Sequence, residues 1–215
     1  MYLPFPEHAD LISQFFTDEF KDISQLHPDE KIHIAGSSAK RQTDFSTGRF
    51  CARMALEKFG LANVSVLRKK DNQAEWPEGF TGSISHSNYM CGAVVARTMD
   101  LVSVGIDIET IGGVDRNMWD LLFTKAEQSL LLSLNESDQR LYSTLIFSAK
   151  ESFYKFQYPI TSEFLEFNEV ELNITDRKIA IKVNKDNYSA QYLEKAEIEW
   201  IVENTELISM CYLTT

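Results

Sequence analysis

The sequence predicts an α+β protein made of two similar halves. Three observations carry this expectation. Apolar residues recur at helical spacing over residues 39–59 and again over residues 138–156. Each of these stretches is followed by short segments of strand character. A break in the pattern falls at residues 104–110, dividing the chain into residues 1–104 and 105–215. Identity between the halves is too weak to count as a sequence repeat.

Residues 1 to 35 show no clean period, and Phe15, Phe16 and Phe20 are grouped as in a short helix. The first long helix has the stripe Phe45, Ala52, Leu56, Phe59, with Gly60 placed as its C-terminal cap. Arg49 and Arg53, four apart, share a face of it. Residues 64–67 read as a short strand, followed by a polar loop through Trp76-Pro77-Glu78-Gly79. Residues 83–85 and 90–97 read as strands, with a turn at Ser87-Asn88-Tyr89. A further strand covers 101–109. Strand side chains alternate, so Val102, Val104, Ile106 and Ile108 take one face and Asp107 and Glu109 the other. Ile111-Gly112-Gly113 ends the pattern. Thr124-Lys125-Ala126-Glu127 is a capping box that opens a helix. The second long helix has the stripe Leu141, Leu145, Ala149, Ser152, Phe156, with Pro159 as its expected stop. Strands are expected at 170–174, 178–183, 189–193, 197–202 and 207–213.

Composition excludes several classes. The 215 residues are 44% hydrophobic, enough for a core, so a disordered tail is ruled out. No apolar run approaches the ~20 residues needed to span a bilayer. The start of the chain has no basic segment followed by an apolar one, so no signal peptide is expected. Cys51, Cys91 and Cys211 are odd in number and widely spaced, which points to a reducing cytoplasm rather than to disulfides or a zinc site. With 21 basic and 32 acidic residues the net charge is −11, which argues against general nucleic-acid binding. The charge is uneven, however. Residues 40–70 hold eight basic side chains against Asp44 and Glu57, so this window carries +6 and the remainder −17. Such a region suits a small polyanion, or is simply a solvated helix face.

Asp107, Glu109 and Glu151 are the candidate metal ligands. Converging carboxylates repel unless protonated or bound to a cation, and hard oxygen donors with positions left for water and phosphate describe a magnesium site. By spacing alone, Asp107 and Glu109 equally fit a solvent-facing strand end. Lys155, one turn beyond Glu151, fits either a phosphate-binding cation or a surface pair with Glu151. Lys150 points elsewhere on the helix and reads as solvated. Gly82-Ser83-Ile84-Ser85-His86-Ser87 places hydroxyls and a histidine at a strand end, suited to phosphate oxygens or to a hydrogen-bonded turn. No Gly-x-Ser-x-Gly elbow and no Walker or Rossmann loop is present.

Taken together these segments resemble one family, the Sfp-type 4′-phosphopantetheinyl transferases, in particular the branch that activates siderophore (enterobactin) synthetases. The resemblance runs from Lys40 to Val170. It rests on Lys40-Arg41, Gly48-Arg49-Phe50-Cys51-Ala52-Arg53, Trp76-Pro77 and Gly82-Ser83-Ile84-Ser85-His86. It continues with Val104-Gly105-Ile106-Asp107-Ile108-Glu109, Phe123-Thr124-Lys125-Ala126-Glu127, and Phe147-Ser148-Ala149-Lys150-Glu151-Ser152-Phe153-Tyr154-Lys155, with Phe164-Leu165-Glu166-Phe167 trailing. The Gly-Ile-Asp-Ile-Glu and Lys-Glu-x-x-x-Lys pieces, in this order, are the most specific. Phe147 stands where many members have Trp, and Ser152 where many have Ala.

The resemblance implies a magnesium-dependent enzyme. It would move 4′-phosphopantetheine from coenzyme A to a serine of an apo acyl, peptidyl or aryl carrier protein, releasing adenosine 3′,5′-bisphosphate. The alternative is a catalytically silent module that binds coenzyme A or a carrier. The implied fold is two pseudo-twofold-related α+β halves, each with a long helix on a small antiparallel sheet. Asp107, Glu109 and Glu151 match the magnesium carboxylates, Glu151 also as the group that takes the carrier serine's proton, directly or through water. Lys155 matches the lysine beside the pyrophosphate. Arg41, Arg49, Ser85 and His86 match positions that hold the adenosine end and its 3′-phosphate, and Arg68 falls where relatives often have lysine on that phosphate. A cytoplasmic monomer is expected. Since the chain is as acidic as many carriers, docking is expected to be apolar, with the segment 118–123 as part of that surface.

Overall fold

Local chemistry builds the longest elements. In the computed structural model, which describes residues 3–175 and 178–215, the first long helix spans Ala39–Glu57. Ser38 caps it by accepting a hydrogen bond from the Arg41 amide at 3.3 Å. It ends at Gly60, whose φ of +82° lets its own amide reach the Glu57 carbonyl (2.9 Å) and the Leu61 amide reach the Leu56 carbonyl (3.3 Å).

The chain divides into two compact units, Met1–Val104 with Thr214–Thr215, and Gly105–Leu213. The first contains β1 (Ile12–Thr17), α1 (Pro28–Lys31), α2 (Ala39–Glu57), the short pair β2 (Leu67–Arg68) and β3 (Ala74–Glu75), β4 (Phe80–His86) and β5 (Cys91–Arg97). Strand β6 (Leu101–Thr110) leads into the second unit. There follow α3 (Trp119–Leu122), α4 (Lys125–Ser133), α5 (Glu136–Thr161), the pair β7 (Val170–Thr175) and β8 (Lys178–Val183), β9 (Glu197–Glu203) and β10 (Glu206–Thr214). The main sheets have strand orders β1-β5-β4 and β6-β10-β9. The connectivity is therefore the same twice: a first strand, a long helix, a two-stranded ribbon, then a hairpin whose second strand pairs with the first. Registers are antiparallel at Ile12↔Ala96, His86↔Cys91 and Glu206↔Glu203.

Cys51, Ala52, Ala55 and Leu56 of α2 pack on Cys91, Ala93 and Val95 in the first unit. In the second, Leu145, Ala149, Phe153 and Phe156 of α5 pack with Leu172, Ile181, Ile198 and Leu207. Each helix thus buries one face on its sheet, the expected way to hide an amphipathic stripe. All three cysteines are buried and free. Among the described residues no helix is long and apolar enough to cross a membrane.

The structure corrects four expectations. The stretch expected as a short helix around Phe15 and Phe16 is strand β1. Its polar residues are buried too, which erases the alternation. Ser13 Oγ donates to the Ala55 carbonyl at 2.6 Å, and the Gln14 amide exchanges two bonds with the Phe5 backbone. Of the strand expected at 64–67 only Leu67 is in a strand, the two-residue β2 that it forms with Arg68. Pro159 does not end α5. Lying in the last turns, it forgoes one intrahelical bond, and Ser162, left-handed at φ 56°, makes the stop. The strand expected at 189–193 is a 3-10 turn over Gln191–Lys195, matching the three-residue rhythm of buried Ala190, Leu193 and Ala196.

Candidate active site

Alternation along β6 puts Asp107 and Glu109 on the face that carries Gly105, and Gly105 is where α5 crosses. A Cβ there would lie 2.5 Å from the Phe156 amide nitrogen and closer still to the Ser152 carbonyl oxygen. Only glycine permits this approach. The approach brings Lys155 to Asp107, with Nζ donating to Oδ1 at 2.6 Å. Lys155 therefore bonds to a residue 48 positions away while also lying in the field of Glu151 on its own helix. Beside Glu151 opens a small groove of about 80 Å³, lined by Lys150, Tyr154, Phe164, Leu165, Phe167 and Val170 among others.

Asp107 is 3% exposed, while Glu109, Glu151 and Lys155 are half-buried. Burial, and then the negative charge of Asp107, push the Glu109 carboxyl up to about 7, against the pull of Lys155. Glu151 is raised by burial and by Asp107, again with Lys155 opposing. Burial disfavours the Lys155 ammonium, but Asp107, Glu151 and Glu109 outweigh it and hold the lysine charged. Three carboxylates thus share one ammonium. Among the described residues their oxygens do not all lie within 4.8 Å of one another, as expected of like charges with Lys155 drawn to one of them. The donor set fits magnesium: hard carboxylate oxygens carrying more negative charge than the local lysine balances. A consequence follows for stability. A carboxyl raised in the folded state binds more protons folded than unfolded, so stability falls as pH rises from the ordinary glutamate range through about 7. Magnesium should therefore raise Tm more at pH 8 than at pH 5. A thermal-shift series showing equal effects at both would contradict this electrostatic account.

The basic residues of the first unit form a second cluster. Arg49 is buried, stacks on Phe45 at 4.4 Å and donates through Nη2 to the Leu67 carbonyl at 3.2 Å. Burial lowers it to about 10. Glu30 opposes that shift, and Arg68, Arg53 and Arg41 add to it. Arg41 is exposed on the first turn of α2, and Arg68 donates to Asn72. Ser85 (buried) and His86 (half-buried) end strand β4. α2 meets β4 at Gly48, where a Cβ would come 2.8 Å from Ile84 Cγ2, so Arg49 and Ser85 are next to that contact in sequence.

Two cations have other places than the sequence suggests. Arg53, on the face of Arg49, gives its guanidinium to Glu30 at 2.7 and 3.0 Å and to the Gln25 carbonyl. Lys150, expected in solvent, is 2% exposed. It donates to Glu127 at 2.7 Å and to the carbonyls of Leu122 at 3.0 Å and Phe167 at 2.8 Å. Burial lowers its affinity for the proton, and Glu127 opposes that. Sequence reading missed Glu30 and this second role of Glu127, because a charged pair 23 residues apart leaves no local trace. Within the segment 118–123, Leu122 and Phe123 are core residues at 2% exposure, whereas Met118 and Leu121 are 41% and 64% exposed.

Comparison with known proteins bears on this arrangement. Residues 29–96 match the family model described as the 4'-phosphopantetheinyl transferase N-terminal domain, and residues 103–209 match that of the 4'-phosphopantetheinyl transferase superfamily. The chain belongs to the 4′-phosphopantetheinyl transferase superfamily. Among relatives of this phosphopantetheinyl transferase family member is 4'-phosphopantetheinyl transferase Svp of Streptomyces mobaraensis. It is 37% identical over 170 residues, covering 78% of this chain and 67% of Svp. Enterobactin synthase component D of Escherichia coli (strain K12) is 28% identical over 212 residues, covering 97% of this chain and 95% of the relative. Among solved structures, the holo-[acyl-carrier-protein] synthase of Thermotoga maritima aligns with a TM-score of 0.42 and 22% identity over 53% of this chain and 63% of that one.

Proposed function

We propose that the chain transfers 4′-phosphopantetheine from coenzyme A to a serine hydroxyl of an apo carrier protein, releasing adenosine 3′,5′-bisphosphate. The observation that carries the reading is the Asp107–Lys155 contact of 2.6 Å between β6 and α5, with Glu109 and Glu151 in its field. Membership in the superfamily supports it.

Asp107, Glu109 and Glu151 would hold magnesium, which when bound would neutralise the diphosphate of coenzyme A and orient its phosphorus. Glu151 takes the serine proton. The serine oxygen then bonds to the phosphorus, and the bond to the oxygen of the adenosine bisphosphate breaks. Lys155 keeps a positive charge at the site that favours the charge gathering on the leaving 5′-phosphate. Arg41, Arg49, Arg68, Ser85 and His86 bind the adenosine end and its 3′-phosphate. Among these, buried Arg49 is the preorganised group and Arg41 the adaptable one.

The carrier is proposed to be of the siderophore-synthetase kind, supported by the 28% identity to enterobactin synthase component D over 97% of this chain. The reading places the enzyme in the cytoplasm as a monomer, consistent with three free cysteines. Docking is assigned to Met118 and Leu121. The charges near them are already matched, since Lys125 pairs with Asp120 at 3.0 Å and Arg116 lies over the Trp119 ring. Leu121→Asp is expected to raise KM for the carrier roughly tenfold at unchanged Tm. An unchanged carrier KM would move the docking face elsewhere.

The test of the function itself is incubation with coenzyme A, magnesium and a panel of apo carriers. Intact-mass analysis should show the gain of one phosphopantetheine, absent with chelator. A chain that binds coenzyme A yet modifies no carrier would be a binding module instead.

A further inference from the structure

The two units carry the same buried device. In each, a glutamate in the first turn of a helix preceding the long one accepts the amide three residues before it, His27 for Glu30 and Thr124 for Glu127. Its other oxygen accepts an amide beyond the long helix, from Val66 in one unit and Leu172 in the other, both at 2.8 Å. A cation exactly one spacing later in both, 23 residues on, closes the ion pair: Arg53 for Glu30 and Lys150 for Glu127. That cation also holds the carbonyl 28 residues before it, Gln25 or Leu122. Each pair is buried and satisfied by hydrogen bonds, the condition under which such a pair holds a unique arrangement.

The copies differ in what lies next to them. After Arg53 comes Met54. After Lys150 comes Glu151, and Lys150 has one further acceptor, the Phe167 carbonyl. One ammonium on α5 thereby ties down both the segment bearing Met118 and Leu121 and the segment bearing Phe164 (59% exposed), which borders the groove beside Glu151. We propose that Lys150 is a positioning residue for carrier recognition, fixing these two apolar segments against the helix that presents Glu151. The inference rests on the transferase reading. Arg53 is its counterpart beside a different pocket, one without Glu151, and so an internal control.

The experiment measures KM for coenzyme A and for apo carrier in the full chain, with Lys150→Met and Arg53→Met. Removing either cation leaves a buried carboxylate unpaired, so both variants should lose thermal stability. Only Lys150→Met should raise the carrier KM, on the order of tenfold or more, with KM for coenzyme A within about twofold of wild type. Glu127→Gln, which keeps the side-chain shape and removes the charge, should give the same split in milder form. A wild-type carrier KM in folded Lys150→Met, equal rises in both KM values, or an equal carrier effect from Arg53→Met would overturn the proposal. Failure of both Lys150→Met and Glu127→Gln to fold would assign the pair to the fold alone and likewise overturn it. A wild-type chain that modifies no carrier would instead sink the transferase reading.

Discussion

Asp107→Asn is expected to reduce phosphopantetheine transfer by at least about 10³-fold, the scale seen when a group stabilising transition-state charge is removed. Asp107 is the one of the three carboxylates that is buried, and it bonds to Lys155 at 2.6 Å. Asparagine keeps its size and can still accept from the ammonium, so the change isolates charge from shape. Stability should move little. The attraction to Lys155 that is lost is offset by relief of the repulsion that raises Glu109 and Glu151. The pairing of lost activity with retained Tm is the signature of a site whose charges serve chemistry rather than folding. Progress curves by intact mass, with melting curves on the same preparations, measure both. Activity within tenfold of wild type would show that Asp107 holds neither metal nor lysine in a way that matters to transfer.

Gly105→Ala is expected to fail for the opposite reason, through geometry with every charge intact. The new methyl would press on backbone atoms of Ser152, Lys155 and Phe156, which cannot rotate away as a side chain tip would. The helix must withdraw from β6, and overpacking of this kind costs about 1–3 kcal/mol or more. For a chain of this size that is a Tm loss of roughly 2–4 °C per kcal/mol. The same withdrawal separates Asp107 from Lys155 and Glu151, and a displacement of about 1 Å at a reacting centre costs on the order of 10²-fold in rate. Both effects should therefore appear together. A Gly105→Ala protein with wild-type activity would show that α5 is free to retreat without disturbing the site.

Legibility in the sequence follows how local each determinant is. Helix α2 is legible because its stripe and its Gly60 stop lie within one stretch of chain. The shared face of Asp107 and Glu109 is legible because alternation is a property of a single strand. Strand β1 was not. Its buried Ser13 and Gln14 are satisfied by Ala55 and Phe5, so polarity no longer marks the outside. Pro159 misled because the rule that proline ends a helix weakens in its last turns, where few bonds remain to lose. Lys150 misled because charged residues are normally solvated, and its partner Glu127 had already been explained by its capping role.

By itself the sequence determined the two long helices, the alternating acidic strand and, through ordered motifs, the resemblance to one family. These depend on spacing along the chain, which a reader can count. Tertiary structure alone decided that Lys155 serves Asp107, that Leu121 rather than Leu122 faces outward, and that Arg53 and Lys150 are interior tethers. Each of those depends on which distant segment excludes water from a side chain. A buried charge must find its partner wherever folding puts one, and spacing carries no record of that encounter.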